Sequence, residues 1–475
     1  MPSSLKFLRK VFWLLLASAL PSLATSPIRV TIDPDQPGSA IAADFTGLSF
    51  EMNYVLADTN GNHFFSLQNR SLIAMFKTLG VKSLRVGGNT ADRPTLPTPN
   101  TADVDNLFAF AKAAGVKVIY TLRLREGSLS AATEMANYIQ QHYADQLDCF
   151  AIGNEPNVFS KEFPPYLAEW KKYAAEITTP GNSPTARFCG PSTSPGHETW
   201  ARNFAIEFGN RGPLSLISQH DYPGGDARRA TNAMVARDKI LAPAMAQHYT
   251  KFAANWVPEV LSNGLPYRLE EANSFYDGGA LDVSDTFTAA LWALDYQWWW
   301  ASHGASGINF HTGDKVAARD ESKPCRYAVF WSSASGYNVH PIAYGLKMFS
   351  LGAQGRQLAA TVENQENLNL AIYAAAPRPQ AMCVTLINRE HGPDGRTAHI
   401  ALASGIPGAR ARVMLLKVTG GDVAAKTGVT LGGAAIQDDA EWEGKWTFLP
   451  KPAADGTFIF SLPAASAALV EVNRE

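Results

Sequence analysis

Short apolar runs alternate with amphipathic stretches over the first three quarters of the chain. The runs fall at residues 45–52, 83–86, 117–124, 149–153, 187–190, 216–220, 267–271 and 307–311. Between them lie stretches of helical periodicity, at 71–79, 104–114, 131–142, 165–177, 200–208 and 285–302. Residues 231–261 are also helical in pattern, and Pro243 and Pro258 are predicted to break or kink that stretch. Apolar strand runs separated by amphipathic helices are the pattern of a parallel sheet with crossover helices. Eight such repeats predict closure into an α/β fold of the (β/α)8 TIM type. Most runs end in residues able to do chemistry: Glu51-Met52-Asn53, Gly87-Gly88-Asn89, Asn154-Glu155, His220-Asp221-Tyr222, Glu271-Ala272-Asn273 and His311. The carboxyl ends of the strands are where such a barrel carries its active site.

The pattern changes after about residue 350. Segments 367–374, 381–388, 398–403, 410–418, 447–449, 457–462 and 467–473 read as strands separated by Gly, Pro and Asp clusters. Helical periodicity is scarce there, which predicts a C-terminal antiparallel β-sandwich domain. Segment 28–33 also alternates and is expected to join that sheet. The expected plan is a leader at 1–24, a strand segment of the β-domain at 25–40, the barrel at 41–348 and the sandwich at 349–475.

The leader is read from Lys6, Arg9 and Lys10, the apolar run 11–20 and the small residues of Ser22-Leu23-Ala24. This is the layout of a secretory signal. A bilayer span needs about 20 apolar residues, so an anchor is disfavoured. The expectation is a secreted chain, extracellular or periplasmic, with no membrane insertion once the leader is removed. Charged residues make up 18% and hydrophobic ones 46%, a balance that excludes a disordered chain. The formal net charge is −2 and turns more negative without the leader. No strong positive field is available for nucleic acid or a polysulfated polymer. Cys149, Cys189, Cys325 and Cys383 match no zinc spacing, and both buried thiols and a bridge remain open.

Two segments carry the chemistry. In Ala151-Ile152-Gly153-Asn154-Glu155-Pro156-Asn157 an apolar strand delivers Asn and then Glu at its carboxyl end, and Pro stops the ladder. In Arg268-Leu269-Glu270-Glu271-Ala272-Asn273-Ser274 two glutamates are adjacent. Strand alternation predicts that one faces the barrel centre and the other its outside, without deciding which. Two carboxyl groups meeting at one barrel mouth are what cleavage of a glycosidic bond requires. One is a protonated acid at the leaving oxygen and the other attacks the anomeric carbon. The structural alternative is an ion pair with Arg85, Arg123 or Arg268.

These motifs resemble those of glycoside hydrolase family 79, the β-glucuronidase and heparanase family, within the retaining superfamily called clan A. The resemblance rests on Gly47-Leu48-Ser49-Phe50-Glu51, Leu84-Arg85-Val86-Gly87-Gly88-Asn89, Ile152-Gly153-Asn154-Glu155-Pro156 and His220-Asp221-Tyr222-Pro223. Glu271-Ala272-Asn273-Ser274 and Gly307-Ile308-Asn309-Phe310-His311 complete it. The resemblance implies Glu155 as general acid/base and Glu271 as nucleophile, with no metal or organic cofactor. It implies Asn154 as a partner of the sugar 2-hydroxyl, Glu51 and Asn89 among the substrate-binding residues, and Tyr222 and Tyr276 lining the subsite. Packing is the alternative for the two tyrosines. A sugar carboxylate is expected at the backbone and phenol of Gly336-Tyr337. The stretch between His311 and Gly336 is longer than the family pattern and offers Lys315, Arg319, Lys323 and Arg326 as other partners. Trp298-Trp299-Trp300 are expected to pack a helix against the barrel.

The expected activity is that of a retaining exo-β-D-glucuronidase with a carbohydrate partner, a glucuronide. The alternatives are an endo-acting heparanase- or hyaluronidase-like enzyme, a β-xylosidase or arabinofuranosidase of the same clan, and a non-catalytic carbohydrate-binding relative. Neither His-Glu-x-x-His nor Gly-x-Ser-x-Gly is present, so zinc and serine hydrolases find no support.

Overall fold

The structure is a computed structural model that describes residues 26–209, 211–315 and 323–474. The leader and Arg319 lie outside the described residues. Strand β1 (Ile28–Ala40) precedes eight barrel strands: β2 (Thr46–Glu51), β3 (Ser83–Gly87), β4 (Lys117–Leu122), β5 (Leu147–Ile152), β6 (Phe188–Thr193), β7 (Leu214–Asp221), β8 (Tyr267–Ala272) and β9 (Gly307–Thr312). Each pairs in parallel with the next, and β9 pairs with β2 to close the barrel. Every predicted apolar run overlaps one of these strands.

Local signals explain the helices between them. Thr101–Ala114 starts on a capping box formed by Asn100 and Asp103 and ends on left-handed Gly115. Its buried stripe, Val104, Leu107, Phe108 and Ala111, faces the sheet. Residues 231–261 form three helices, Ala233–Leu241, Met245–Ala254 and Val257–Ser262. Pro243 lies between the first two. Pro258 lies in the opening turn of the third, where its missing N–H costs nothing, so it starts a helix and does not kink one.

The barrel axis is not filled with aliphatics alone. Leu84 and Val86 belong to the core shared with the helices, while Arg85 between them is fully buried among polar groups. Arg268 sits likewise between Tyr267 and Leu269, and Asn309 between Ile308 and Phe310. Strand alternation therefore aims these polar side chains at the lumen. Glycines make the room. A Cβ on Gly87 would lie 2.4 Å from the Arg85 guanidinium carbon, and one on Gly307 equally close to that of Arg268. On another side of the lumen, Ile119, Cys149, Ala151, Cys189 and Leu216 form a small apolar cluster.

After the barrel come a hairpin, β10 (Phe330–Ser333) and β11 (Gly336–Val339), and a helix, Pro341–Gly352. The β-domain comprises β12 (Arg356–Glu363), β13 (Leu370–Arg378), β14 (Ala381–Asn388), β15 (Ala398–Ala403), β16 (Ala409–Val418), β17 (Val429–Leu431), β18 (Thr447–Phe448), β19 (Thr457–Leu462) and β20 (Ser466–Arg474). The order is β17-β16-β20-β14-β13-β12-β1-β15-β19, with β18 on β16. β1 pairs antiparallel with β12 and parallel with β15, so it is a central strand of this sheet. Met382, Val384, Leu386, Val470 and Val472 share one apolar cluster with Val30, Ile400, Leu402 and Phe458. The sheet thus folds over itself, and its two halves face each other as the layers of a sandwich.

The alternate residues of β14 and β20, among them Ile387, Ala467 and Leu469, join the core of the barrel. Helix Phe287–Ser302 lies between the two units and is apolar nearly all round. Trp298 stacks on Tyr373 of β13 with ring centroids 5.5 Å apart, and Trp300 packs edge-on to Tyr267 of β8. The three tryptophans are packing residues. All four cysteines are free and buried. Among the described residues no helix is long and apolar enough to cross a membrane.

Candidate active site

Glu155 follows β5 at φ +45°, a left-handed backbone conformation uncommon for a non-glycine residue. Hydrogen bonds hold it there. The Glu155 N–H donates to the Ser192 carbonyl at 2.9 Å, and the Asn154 N–H donates to Asp92 Oδ2 at 2.6 Å. Asp92 also accepts from the Leu124 and Arg125 amides, tying the segments after β3, β4 and β5 together. The turn that projects Glu155 into the mouth is thus over-determined by its neighbours.

Glu270 and Glu271 depart from strict alternation. In the pairing of β7 with β8, Gln219 sits opposite Leu269 and the next residue, His220, sits opposite Glu271. Glu270 is the extra residue of a β-bulge, which re-aims the side chains beside it. Both glutamates therefore lie near the same imidazole: His220 Nε2 is 3.6 Å from Glu270 Oε1, and Nδ1 is 3.9 Å from Glu271 Oε1. The expectation that one would face out of the barrel is corrected by this register shift.

Glu271 is surrounded by donors. Arg85 Nη1 donates to its Oε2 at 2.6 Å and the Tyr222 hydroxyl to its Oε1 at 2.9 Å, with His311 Nδ1 3.8 Å from Oε2. Burial would favour the neutral acid, but His311, His220, Arg85 and Tyr222 together hold the Glu271 carboxyl well below its ordinary range. Glu155 has a different setting. It is partly open to solvent, and its Oε1 lies 3.1 Å from His220 Nδ1. A carboxylate oxygen of Glu155 lies within 4.8 Å of one of Glu271. Burial would push the His220 imidazole down, yet Glu271, Glu155 and Glu270 around it raise it to about 9.

Arg85 Nη2 also donates to Asn154 Oδ1 at 2.6 Å, which fixes the amide and turns its NH2 toward Asn89 Oδ1, 3.5 Å away. Glu51 Oε2 accepts from the Thr90 amide at 2.8 Å and the Thr90 hydroxyl at 2.7 Å. Its other oxygen lies 3.6 Å from His311 Nε2. A Cβ on Gly88 would lie 2.4 Å from Glu51, so the glycine leaves space for the carboxylate. Glu51, Asn89, Glu155, Tyr222, Glu271 and Tyr276 all line one cavity of about 390 Å³, at the small end of the range for ligand pockets. Asn154 stands behind this wall.

Gly336 and Tyr337, expected at a sugar carboxylate, do not line this cavity. The Tyr337 N–H donates to the Asp438 carbonyl at 2.7 Å. Its ring is buried against Phe64 and Phe330, and its hydroxyl accepts from Asn69. Both groups are committed to holding the β10–β11 hairpin. Of the four cations between His311 and Gly336, Lys323 lines the cavity, ion-paired with Asp277. Arg228 lines it too and was not anticipated; it pairs with Asp226 at 2.9 Å and Asp277 at 3.5 Å. It sits in a single 3-10 turn, Ala227–Arg229, too short to leave a periodic signal. Arg85, His220 and His311 were legible as motif members but not as a charge network. The telling signal for Arg85 was a lone cation flanked by apolar residues in a buried strand.

Ligand-type atoms of Glu155, His220 and Glu271 converge within 4.8 Å. That spacing alone would admit a cation. Since His220 Nδ1 already faces Glu155, the trio is read as a proton-sharing cluster.

No protein-family profile matches the chain. A β-glucuronidase of Aspergillus niger (strain ATCC MYA-4892 / CBS 513.88 / FGSC A1513) is 24% identical; the similarity covers 59% of this chain and 60% of that relative's length. Among solved structures, a 4-O-α-L-rhamnosyl-β-D-glucuronidase from Fusarium oxysporum 12S superposes with a TM-score of 0.70 at 17% identity, covering 93% of this chain and 99% of that one. A glycoside hydrolase family 51 arabinofuranosidase from Xanthomonas axonopodis pv. citri superposes at 0.69 and 14%, covering 94% and 100%. The chain thus has the fold of TIM-barrel glycosidases with an attached β-domain. Its sequence similarity is to a β-glucuronidase.

Proposed function

We propose that this chain is a retaining glycoside hydrolase that removes terminal β-D-glucuronosyl residues from glycans or glycoconjugates. The observation that carries this reading is the meeting of Glu155 and Glu271 on one cavity wall, with oxygens within 4.8 Å and unlike surroundings. Carboxyl groups about 5–5.5 Å apart suit double displacement, whereas inverting enzymes need about 6.5–9.5 Å for a water between them. Glu271, kept ionised by its donors, attacks the anomeric carbon. Glu155 protonates the departing oxygen, and the glycosyl–Glu271 ester is then hydrolysed by a water that Glu155 deprotonates.

The acid sugar is favoured by the sequence relative, since the fold likeness is nearly equal for glucuronidase and arabinofuranosidase. Among the cavity-lining side chains, the cations Arg228 and Lys323 are suited to a sugar carboxylate. Hydrolysis of an aryl β-D-glucuronide should be compared with that of the matching β-D-glucoside, β-D-xyloside and α-L-arabinofuranoside. A strong preference for the glucuronide is expected. Preference for a neutral sugar would keep the two glutamates and discard the acid specificity. No cleavage of any of them would discard the enzyme.

A further inference from the structure

The displacement mechanism leaves Glu270 without a task. Its carboxyl group is fully buried in the barrel lumen, where an uncompensated carboxylate is strongly disfavoured. One oxygen accepts from Cys189 Sγ at 3.5 Å, while Oε1 has no hydrogen-bond partner. That orphan oxygen lies 3.6 Å from His220 Nε2, which is equally without a partner. On the other side of the ring, Nδ1 is 3.1 Å from Glu155 and 3.9 Å from Glu271. The imidazole thus presents each of its nitrogens to a carboxylate.

A neutral imidazole has one N–H and one lone pair. While Glu155 and Glu270 are both ionised, either tautomer turns a lone pair toward a carboxylate. Only the imidazolium has a donor for each side. The charges packed around the pair allow it. Glu155 comes from the end of β5, Glu270 and Glu271 from β8, and Arg85 from β3, where it is already bonded to Glu271. From β6 come the Cys189 thiol and Ser192, both neutral.

We propose that Glu270 is a positioning residue that keeps His220 in its imidazolium form, so that Nδ1–H is always donated to one oxygen of Glu155 and the other oxygen is left to carry the proton to the leaving group. The catalytic half of this proposal rests on the reading of Glu155 as acid/base; the charge state of His220 does not. Burial works against both charged forms, yet their mutual attraction, with help from Arg85 and the other glutamates, brings Glu270 down to about 2 and His220 up to about 9.

The test is the imidazole proton and nitrogen NMR spectrum of the whole protein, with the His220 signal identified by its loss in His220→Gln. The wild type should show a doubly protonated ring from pH 5 to 8. In Glu270→Gln the midpoint should fall by at least one pH unit. Turnover of a glycoside with a poor leaving group at pH 7.5 should fall at least tenfold, with KM within twofold. Adding Glu270→Gln to His220→Gln should cost nothing further. If Glu270→Gln fails to fold, Glu270→Asp, which retracts the charge by one methylene, should move the midpoint the same way by less. An unmoved midpoint in the variant that folds overturns the proposal, as does undiminished turnover. Inactivity of the wild type on every glycoside would discard the enzyme reading, while the NMR midpoint would still decide the Glu270–His220 pairing.

Discussion

The two interiors of this molecule are built on opposite principles. The core of the β-domain is aliphatic: Val30, Ile400, Leu402, Val384, Val470 and their neighbours interdigitate with almost no polar atom among them. The barrel axis holds Arg85, Arg268, His220, Glu270, Glu271 and Asn309, all buried. The first interior stabilises by removing apolar surface from water, roughly 1.5–3 kcal/mol per large side chain. The second is a network whose members are tolerable only in each other's presence, because each charge is desolvated. Such a lumen suits preorganised electrostatics, and the β-domain packs Ile387, Leu469 and Tyr373 against the barrel's outer layer to support it.

Substitutions should separate the two interiors. The largest effect is expected from Glu271→Gln, which keeps the shape and removes the nucleophile. Turnover should fall roughly 10⁴-fold or more; a near-wild-type rate would remove Glu271 from the mechanism. Glu155→Ala should cost about 10²–10⁴-fold on substrates with poor leaving groups. Activated aryl glycosides should lose far less, and equal losses would argue against an acid role.

Arg85→Met removes one donor from Glu271 and one from Asn154. Its thermal or denaturant unfolding should report a loss of about 3–5 kcal/mol, together with a large fall in turnover. Leu402→Ala in the β-domain should cost a similar amount, about 2–5 kcal/mol. Its kcat, measured well below its melting point, should be unchanged. If the β-domain variant loses turnover in proportion to its stability, the division between the two interiors is wrong.

A smaller effect is expected from Tyr222→Phe. Glu271 must be ionised to attack, and its donors hold its pKa below the ordinary carboxylate range. Removing the Tyr222 hydroxyl lets that pKa rise, so activity should be lost at a higher pH than in the wild type as the medium is acidified. The acid limb of kcat/KM should move up by about one pH unit. A limb that stays put would show that Arg85 and the two histidines suffice.

The architecture was legible because its signal is repeated. Eight apolar runs spaced by amphipathic helices overlap all eight barrel strands. The C-terminal strands were legible where both faces are apolar, as in β14. β12 and β17 escaped because one is mostly solvent-facing and the other only three residues long. The helix Pro341–Gly352 escaped because it is buried almost all round and shows no amphipathic stripe. At the site, strand-end positions brought Glu51, Asn89, Glu155, Tyr222 and Glu271 into view as candidates, and these line one cavity. The surroundings of Tyr337 were not legible because its hydrogen-bond partners, Asp438 and Asn69, are remote in sequence.

By itself the sequence determined the barrel, the β-domain and the strand ends on which polar side chains would gather. These follow from periodicity and punctuation, which are local properties of the chain. Tertiary structure decided the rest: which of two adjacent glutamates faces which partner, where Arg228 falls, and how one guanidinium and two imidazoles divide the charge of four carboxylates. A single-residue register shift between β7 and β8 turns Glu270 and Glu271 toward one histidine. Such a shift depends on how two strands, from Asp221 at the end of one to Tyr267 at the start of the other, are held by everything packed around them. No window along the chain contains that information.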